Sequence, residues 1–335
     1  MQEASSKRIS PSGFKFPASI LTVSHLKTYF FLKEGVLKAV NDVSFILNKN
    51  QTLAIVGESG SGKTVLSLSL IKLLPEKARI VQGEIWLNGM NISHFTPEEM
   101  AKIRGKRIAM IFQEPMTALN PVFTIGEQIS ETIRFHFHLN RKEAHHQMLS
   151  LLEKVRFPEP QKRYRSCPYQ LSGGMRQRAL IAIALSGRPD ILIADEPTTA
   201  LDVTVESQII DLLLNLKEEM GLSLIFISHD FGLVSRIADR VGVMYAGQIV
   251  EIGKKDEIIT HPKHPYTIAL LKSLSSNWGE RKKKVETIKG SVPNLFSLPS
   301  GCSFHPRCTQ KKEICEREEP PIREINEQSI KCWLY

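Results

Sequence analysis

The sequence GESGSGKT, residues 57–64, places a lysine and a threonine directly after two glycines that are separated by four residues. The preceding segment LAIV, residues 53–56, has the length and apolar composition of a buried strand. The following segment VLSLSLIKLL, residues 65–74, predicts an apolar helix that Pro75 would end. A glycine-rich turn between a strand and a helix, closed by Lys-Thr, predicts a phosphate-binding loop.

The residue types of this loop indicate its chemistry. Glycines allow backbone N–H groups to turn toward phosphate oxygens, and the helix N-terminus adds a partial positive charge. Lys63 would reach the β- and γ-phosphates of ATP, and the hydroxyl of Thr64 would bind Mg²⁺. The other loop residues would cradle the phosphates; they are Gly57, Glu58, Ser59, Gly60, Ser61 and Gly62.

A second apolar segment, ILIADE at residues 191–196, ends in two acids. A continuous apolar run is typical of a strand that is buried on both faces of a parallel sheet. A phosphate loop needs a carboxylate opposite it, so Asp195 is predicted to hold Mg²⁺. Glu196 is predicted to accept a proton from the attacking water.

The segment LSGGMRQRALIAIAL, residues 171–185, runs from Ser-Gly-Gly into a helix with apolar residues on one face. A helix N-terminus of this kind is an anion site. Here the chain resembles the ATPase subunits of ATP-binding-cassette (ABC) transporters, whose signature motif LSGGMRQR matches. Other motifs of that family follow in the expected order, with Gln113 in the Q-loop, Ala200-Leu201-Asp202 in the D-loop and His229 as the switch histidine.

The resemblance implies a role for each of these motifs. Ser172, Gly173 and Gly174 would face the γ-phosphate of an ATP held by a second subunit, either another copy or a paralogue. Two ATP molecules would therefore lie in a head-to-tail dimer. Gln113 and Asp202 would line the nucleotide, Gln113 would also reach Mg²⁺, and His229 would contact the γ-phosphate. In the segment that matches the adenine-stacking region, spacing favours Phe30 over Tyr29.

The resemblance also implies an α/β fold: a P-loop (RecA-like) ABC ATPase core with an N-terminal antiparallel β subdomain, a helical subdomain and a cysteine-bearing C-terminal extension. The expected boundaries are a tail at 1–19, the ATPase domain at 20–253 and the extension at 254–335. The segment at about 115–169 reads as helical, and Asn140 with Glu143 predicts a capping box. By resemblance, this helical subdomain receives two transmembrane permease subunits.

The C-terminal segment indicates the substrate class. HPKHPYTIALLKSL at 261–274, GSVPNL at 290–295 and LPSGCSFHPRC at 298–308 resemble the extension of the oligopeptide/dipeptide importer ATPases. This implies peptide uptake with an extracytoplasmic substrate-binding protein as a further partner. Import of nickel or another small solute is an alternative within the class. A soluble ABC ATPase of DNA repair or translation is the alternative from another class.

Four of the five cysteines, Cys302, Cys308, Cys315 and Cys332, lie close together in the sequence with five, six and sixteen residues between them. Zinc sites usually pair cysteines two to four residues apart, whereas iron–sulfur ligation uses four thiolates at less regular spacing. The subfamily resemblance also implies a [4Fe–4S] cluster. Zinc and unmetallated thiols stay as alternatives, and Cys167 is expected to be a small packed residue.

Composition sets the remaining expectations. Apolar residues make up 42% of the chain, and no apolar run reaches the about 20 residues that span a bilayer. The N-terminus lacks the apolar stretch of a signal peptide. The net charge of +9 lies in the ends, including RKKK at 281–284, because residues 51–253 carry 22 basic and 22 acidic side chains. Composition therefore indicates a cytosolic protein. Together with it, the resemblance implies a peripheral subunit on the cytoplasmic face of the membrane, with no nucleic-acid partner.

Overall fold

The structure is a computed structural model that describes residues 19–199, 201–275, 288 and 290–335. The expected N-terminal tail up to residue 18, Ala200 of the D-loop motif and the basic run at 281–284 lie outside the described residues.

The strands of this part of the chain form two sheets. In chain order they are β1 (Ser19–Leu32), β2 (Gly35–Asn48), β3 (Thr52–Val56), β4 (Ala78–Leu87), β5 (Met90–Asn91), β6 (Ile108–Ile111), β7 (Ile191–Asp195), β8 (Ser223–Ser228), β9 (Arg240–Tyr245), β10 (Gln248–Lys254), β11 (Ile322–Ile325) and β12 (Gln328–Lys331).

The helices surround these sheets. In chain order they are α1 (Lys63–Leu70), α2 (Pro97–Ile103), α3 (Pro115–Ala118), α4 (Ile125–Phe137), α5 (Arg141–Lys154), α6 (Pro160–Arg163), α7 (Gly173–Leu185), α8 (Val203–Met220), α9 (Phe231–Ile237), α10 (Lys255–Thr260), α11 (Pro265–Ser275) and α12 (Ile314–Arg317). In the described residues, no helix combines the length and the apolar composition needed to cross a membrane.

The larger sheet has eight strands in the order β11-β12-β10-β9-β3-β8-β7-β6. Neighbours from β9 through β3, β8 and β7 to β6 pair in parallel. Strand β3 shows why its sequence is continuously apolar: Leu53 and Ile55 belong to one core cluster, and Ala54 and Val56 belong to the other. A strand with a core on each face has no polar side.

The smaller sheet is antiparallel in the order β2-β1-β4-β5. Its apolar side chains, including Leu21, Val23 and Val43, belong to the same core cluster as Leu53 and Ile55 of β3. This sheet therefore covers one face of the larger sheet, and α1 is packed into the same cluster through Leu66 and Leu70. The expected N-terminal antiparallel β region is confirmed.

Two local expectations have different outcomes. The capping box of Asn140 and Glu143 is confirmed, because it begins α5 with both reciprocal hydrogen bonds.

The helix after the phosphate loop ends at Leu70, well before Pro75. Lys72 adopts a left-handed backbone with φ of 50°, and its ammonium donates to the carbonyls of Ser93 and Phe95. A left-handed residue with these tertiary contacts, and not the proline, ends this helix.

The C-terminal extension continues the sheet of the ATPase core. Strand β12 pairs with β10, and β11 pairs with β12, so residues 322–331 form one edge of the large sheet. The aromatic rings of Tyr245 in β9, Tyr266 in α11 and Phe304 lie within 4.6–5.4 Å of one another, centroid to centroid. The extension therefore shares both hydrogen bonds and hydrophobic core with the ATPase core.

Candidate active site

Four candidate segments follow four neighbouring parallel strands. The phosphate loop follows β3, His229 follows β8, Glu196 follows β7 and Gln113 lies just after β6. These strands are adjacent in the order β3-β8-β7-β6. Because parallel strands end at the same edge of a sheet, side chains from distant parts of the sequence meet there. The structure thus gathers the predicted residues of these four segments into one site.

The glycines at the two ends of the phosphate loop have no room for a side chain. A Cβ on Gly57 would lie 2.2 Å from the carbonyl oxygen of Met244, and one on Gly62 would lie 2.2 Å from that of Ala39. Gly62 also has φ of 102°, in a region that side chains rarely adopt. Close backbone approach at both ends fixes the loop against β2 and β9.

Lys63 is buried at the start of α1. Its Nζ donates to the carbonyl oxygens of Gly57 at 2.8 Å and of Glu58 at 3.0 Å. Burial lowers the pKa of Lys63, while the nearby carboxylates of Glu196, Asp195 and Glu58 oppose that shift. The ammonium therefore stands inside the loop with three acids around it.

Asp195 ends strand β7 and is 1% exposed. Burial raises the pKa of Asp195 to about 6, against the smaller effect of a hydrogen bond from the hydroxyl of Thr64. One carboxylate oxygen, Oδ1, is buried without a hydrogen-bond partner. A buried carboxylate with an unused oxygen beside a threonine hydroxyl matches the oxygen ligands that Mg²⁺ takes in nucleotide sites.

Replacing Asp195 by asparagine is expected to stabilise the nucleotide-free chain. The carboxylate has a pKa of about 6 in the fold and about 4 in an unfolded chain, so the fold loses stability as pH rises between these values. Asp195→Asn should raise the free energy of unfolding by about 3 kcal/mol at pH 8 and leave it nearly unchanged at pH 4. Denaturant unfolding in EDTA measures the difference.

The exposed Asp256 offers the matched control, since Asp256→Asn should give little change at either pH. A lower stability of Asp195→Asn than of the unmodified chain at pH 8 would contradict the assignment of an unpaired, buried carboxylate.

Glu196 lies at the centre of the site. Its Oε2 accepts hydrogen bonds from Gln113 Nε2 and from the hydroxyl of Thr199, both at 3.0 Å. Its Oε1 lies 3.5 Å from His229 Nδ1. The backbone of Glu196 is left-handed, with φ of 46°, and its N–H donates to the carbonyl of Ile227 in the neighbouring strand. Strained backbone held by its surroundings is typical of functional residues.

The two aromatic candidates of β1 differ in their surroundings. The hydroxyl of Tyr29 donates to Asn41 Oδ1 at 2.8 Å, within the antiparallel sheet. The hydroxyl of Thr28 lies 2.8 Å from that of Ser69 in α1, the helix that follows the phosphate loop. Phe30 is two residues from Thr28, and side chains two apart in a strand share a face. Phe30 therefore lies on the α1 side of the strand.

The signature segment begins helix α7 at the protein surface. Ser172 caps the helix by accepting the N–H of Met175 at 3.4 Å, and both Ser172 and Gly173 are exposed. A Cβ on Gly174 would lie 2.8 Å from Val205 of α8. Asp202 caps α8 in turn, accepting the N–H of Val205 at 2.9 Å. The two predicted motifs are thus adjacent, and both present helix N-termini.

The four C-terminal cysteines lie close together and form no disulfide. Burial, with smaller contributions from Cys315, Cys332 and Cys308, raises the pKa of Cys302 to about 11. The N–H of Lys312 donates to the sulfur of Cys315 at 3.4 Å, and backbone N–H groups partly offset the effect of burial on the pKa of Cys302, Cys308 and Cys332. Across the described ranges, no group of three or more His, Cys, Asp or Glu side chains is arranged to hold a metal ion.

Sequence reasoning missed two residues that contact the phosphate loop. Arg307 pairs with the carboxylate of Glu58, and the hydroxyl of Tyr266 accepts the N–H of the same residue. Both come from the extension, more than 200 positions from Glu58. The local patterns HPYT and HPRC carried no signal for this contact, because it depends on how the extension folds back on the core.

A parallel sheet with a phosphate loop and convergent acids at one edge defines a nucleotide-hydrolysing enzyme of the P-loop class. A family model described as ABC transporter matches residues 40–199. A second, the C-terminal region of oligopeptide/dipeptide transporters, matches residues 250–315. The chain belongs to the ABC transporter ATP-binding proteins of the oligopeptide/dipeptide family, and it is an ATPase.

Named relatives and solved structures agree with this. A Brucella ovis protein that bears the name of a peptide import ATP-binding protein is 47% identical, covering 92% of this chain and 94% of its own. The oligopeptide transport ATP-binding protein AppD of Bacillus subtilis is 46% identical, covering 95% and 97%. The dimeric ATP-binding cassette MJ0796, in a post-hydrolysis state with ADP and Pi, has a TM-score of 0.64 at 26% identity over 70% of this chain and 98% of its own.

Proposed function

We propose that this chain is the ATP-hydrolysing subunit of an importer that takes up di- and oligopeptides. The observation that carries the proposal is the C-terminal region, residues 250–315, which matches the oligopeptide/dipeptide transporter model. The names of the relatives from Brucella ovis and Bacillus subtilis support the same substrate class.

The partners follow from the single set of motifs. One phosphate loop and one signature segment form two half-sites, so a second ATPase subunit completes each nucleotide site. The exposed positions of Ser172, Gly173 and Asp202 support this pairing. Two permease subunits and an extracytoplasmic substrate-binding protein complete the importer, with this chain on the cytoplasmic face.

A set of exposed apolar side chains supports permease docking. They lie on or beside the helices between residues 115 and 170, and they are Met116, Val122, Phe123, Phe135 and Tyr169. A contiguous patch of exposed apolar groups is typical of an interaction surface, so these side chains are candidates for the permease contact. A subunit that covers them would connect closure of the ATPase pair to the membrane helices.

The geometry supports the following roles in hydrolysis. Glu196 takes a proton from the water that attacks the γ-phosphate, and the bond to the leaving ADP breaks. Gln113 and Thr199 hold that carboxylate in place by donating to its Oε2. His229 contacts the γ-phosphate, and Lys63 turns from its own loop carbonyls to the β- and γ-phosphates. Phe30 stacks on the adenine from the α1 side of its strand.

Thr64, Asp195 and Gln113 would hold Mg²⁺, and the unpartnered Oδ1 of Asp195 supports this assignment. When bound, the ion supplies positive charge beside the β- and γ-phosphates. The backbone N–H groups of Ser59, Gly60, Ser61 and Gly62 cradle the phosphate oxygens. The N–H of Glu58 donates to the hydroxyl of Tyr266, so in this conformation it stabilises the shape of the loop.

Cys302, Cys308, Cys315 and Cys332 would hold a [4Fe–4S] cluster, with zinc as the alternative. The N–H of Lys312 donates to the sulfur of Cys315, and backbone N–H groups lower the pKa of the other three thiols against the larger opposing effect of burial, so metal binding would release their protons. A cluster takes one thiolate on each of four irons and does not need four ligands around one ion. The cluster would crosslink a segment that is poor in apolar residues.

The whole transporter tests the proposed function. A tagged chain purified from its native membranes should bring down a second ATPase and two integral membrane proteins. In vesicles with the substrate-binding protein, the complex should take up labelled tripeptide or pentapeptide only with ATP, at least tenfold above vesicles that lack the binding protein. The isolated chain should show little turnover at low concentration.

Uptake of Ni²⁺ without peptide would assign the related small-solute class. Rapid, concentration-independent turnover by the monomer would contradict the shared nucleotide site.

A further inference from the structure

The second residue of the phosphate loop is held by a side chain from the cysteine-bearing extension. Arg307 Nη1 lies 2.7 Å from Glu58 Oε2, and Arg307 Nη2 lies 3.0 Å from Glu58 Oε1. The Arg307 side chain is 5% exposed and that of Glu58 is 26% exposed. A bidentate ion pair of this geometry fixes the orientation of the two side chains as well as the distance between them, and a lysine could not reproduce it.

The backbone of Glu58 is held by the same part of the molecule. Its N–H donates to the hydroxyl of Tyr266 at 2.9 Å, and Tyr266 is fully buried in α11. Arg307 in turn lies over the ring of Tyr245, 5.8 Å from its centroid, and the rings of Tyr245, Tyr266 and Phe304 pack together. Phe304 lies three residues before Arg307, so one aromatic cluster positions both groups that hold Glu58.

The pair also changes the charge of the nucleotide site. Glu58 lies within electrostatic range of Lys63, the ammonium of the phosphate loop. An uncompensated carboxylate at this place would repel a triphosphate, since like charges at short range in a partly buried site are unfavourable. The guanidinium of Arg307 neutralises it, so the loop keeps the positive charge of Lys63 for the ligand.

We propose that Arg307 and Tyr266 are positioning residues of the phosphate loop, and that the cysteine-bearing extension thereby contributes to ATP binding at the nucleotide site. Arg307 stands between Cys302 and Cys308, so the fold of the cysteine segment sets the position of its guanidinium. The proposal uses the ATPase activity alone and does not depend on the transported substrate or on a metal.

A double-mutant cycle on the full-length chain tests the charge role. Arg307→Ala is expected to raise the Kd for Mg-ATP about tenfold, within the range usual for coupling between sites. In an E58Q background the same replacement should change the Kd less than twofold, because no carboxylate is left to neutralise. Titration calorimetry gives the four constants.

Further variants separate positioning from folding. In the assembled transporter, Arg307→Ala should raise KM for ATP about tenfold and change kcat less than twofold. Tyr266→Phe, which removes only the acceptor of the Glu58 N–H, should raise the Kd about threefold. Arg317→Ala is the matched control, because this arginine of the extension is 77% exposed and lies 3.8 Å from the carboxylate of Glu313, far from the phosphate loop in its contacts.

Two outcomes would overturn the proposal. One is an equal loss of affinity for Arg307→Ala with and without E58Q, which would assign Arg307 to the fold of the extension alone. The other is unchanged affinity in both Arg307→Ala and Tyr266→Phe. If Arg307→Ala unfolds the extension, Arg307→Lys replaces it in the cycle. This variant should raise the Kd for Mg-ATP about threefold, and the same two outcomes would overturn the proposal.

Discussion

Glu196→Gln in the assembled transporter is expected to lower ATP turnover by at least a hundredfold and to leave a closed dimer that retains ATP. The replacement removes the group that accepts the proton, an effect that is worth about 10²–10⁴ in rate. It keeps the size of the side chain and an oxygen that can accept from Gln113 and Thr199, which now donate to Glu196 at 3.0 Å. Binding groups remain, so nucleotide is held and not released.

The measurement is steady-state phosphate release together with the amount of ATP that stays with the protein after gel filtration. Lys63→Ala provides the contrast, because it should weaken nucleotide binding itself and leave no ATP on the column-purified protein. Glu218→Gln, on the exposed face of α8, should behave like the unmodified chain. Hydrolysis by Glu196→Gln at the unmodified rate would show that another group is the base.

Serine in place of any one of Cys302, Cys308, Cys315 or Cys332 is expected to abolish a brown colour in protein purified without oxygen. The unmodified chain should contain about four irons and four acid-labile sulfides if the site is full. Losing one ligand should also loosen the segment from about residue 290 onward, because that segment has little apolar core of its own. Iron and sulfide analysis measures the first effect, and limited proteolysis measures the second.

Cys167→Ser is the matched control. Cys167 lies apart from the four, at the N-cap of a short 3-10 helix where its N–H donates to Gln170, and its replacement should change neither colour nor proteolysis. One zinc per chain in a colourless preparation would favour the alternative metal. A full-length preparation with no metal would contradict both.

The sequence alone was sufficient for the parts of the site that are local. A phosphate loop is a contiguous sequence pattern. A buried parallel strand is visible as an apolar run, and the candidate functional residues lie at its end, as Asp195 and Glu196 lie at the end of the strand Ile191–Asp195. The start of helix α5 was also predictable, since capping is a feature of neighbouring residues, whereas the antiparallel sheet was expected from the resemblance to the family.

Contacts between distant segments could not be predicted in this way. Nothing near Glu58 in the sequence indicates an arginine 249 positions later, and nothing near Lys331 indicates that β12 completes the sheet of β10. The early end of α1 is a smaller case, because Lys72 is turned by carbonyls of Ser93 and Phe95 that lie more than twenty residues away. At the first two places the sequence held no local signal, and at the end of α1 tertiary contacts overrode the local pattern.

The return of the extension to the core has a consequence for the order in which the chain is made. Translation proceeds at about 5–20 residues per second, so the 249 positions between Glu58 and Arg307 correspond to roughly 10–50 s. Glu58 lacks its guanidinium until Arg307 has been made, and β10 has an unpaired outer edge until β12 has been made. We therefore expect a nascent chain to bind ATP more weakly than the complete chain until the segment that carries Arg307 has been synthesised.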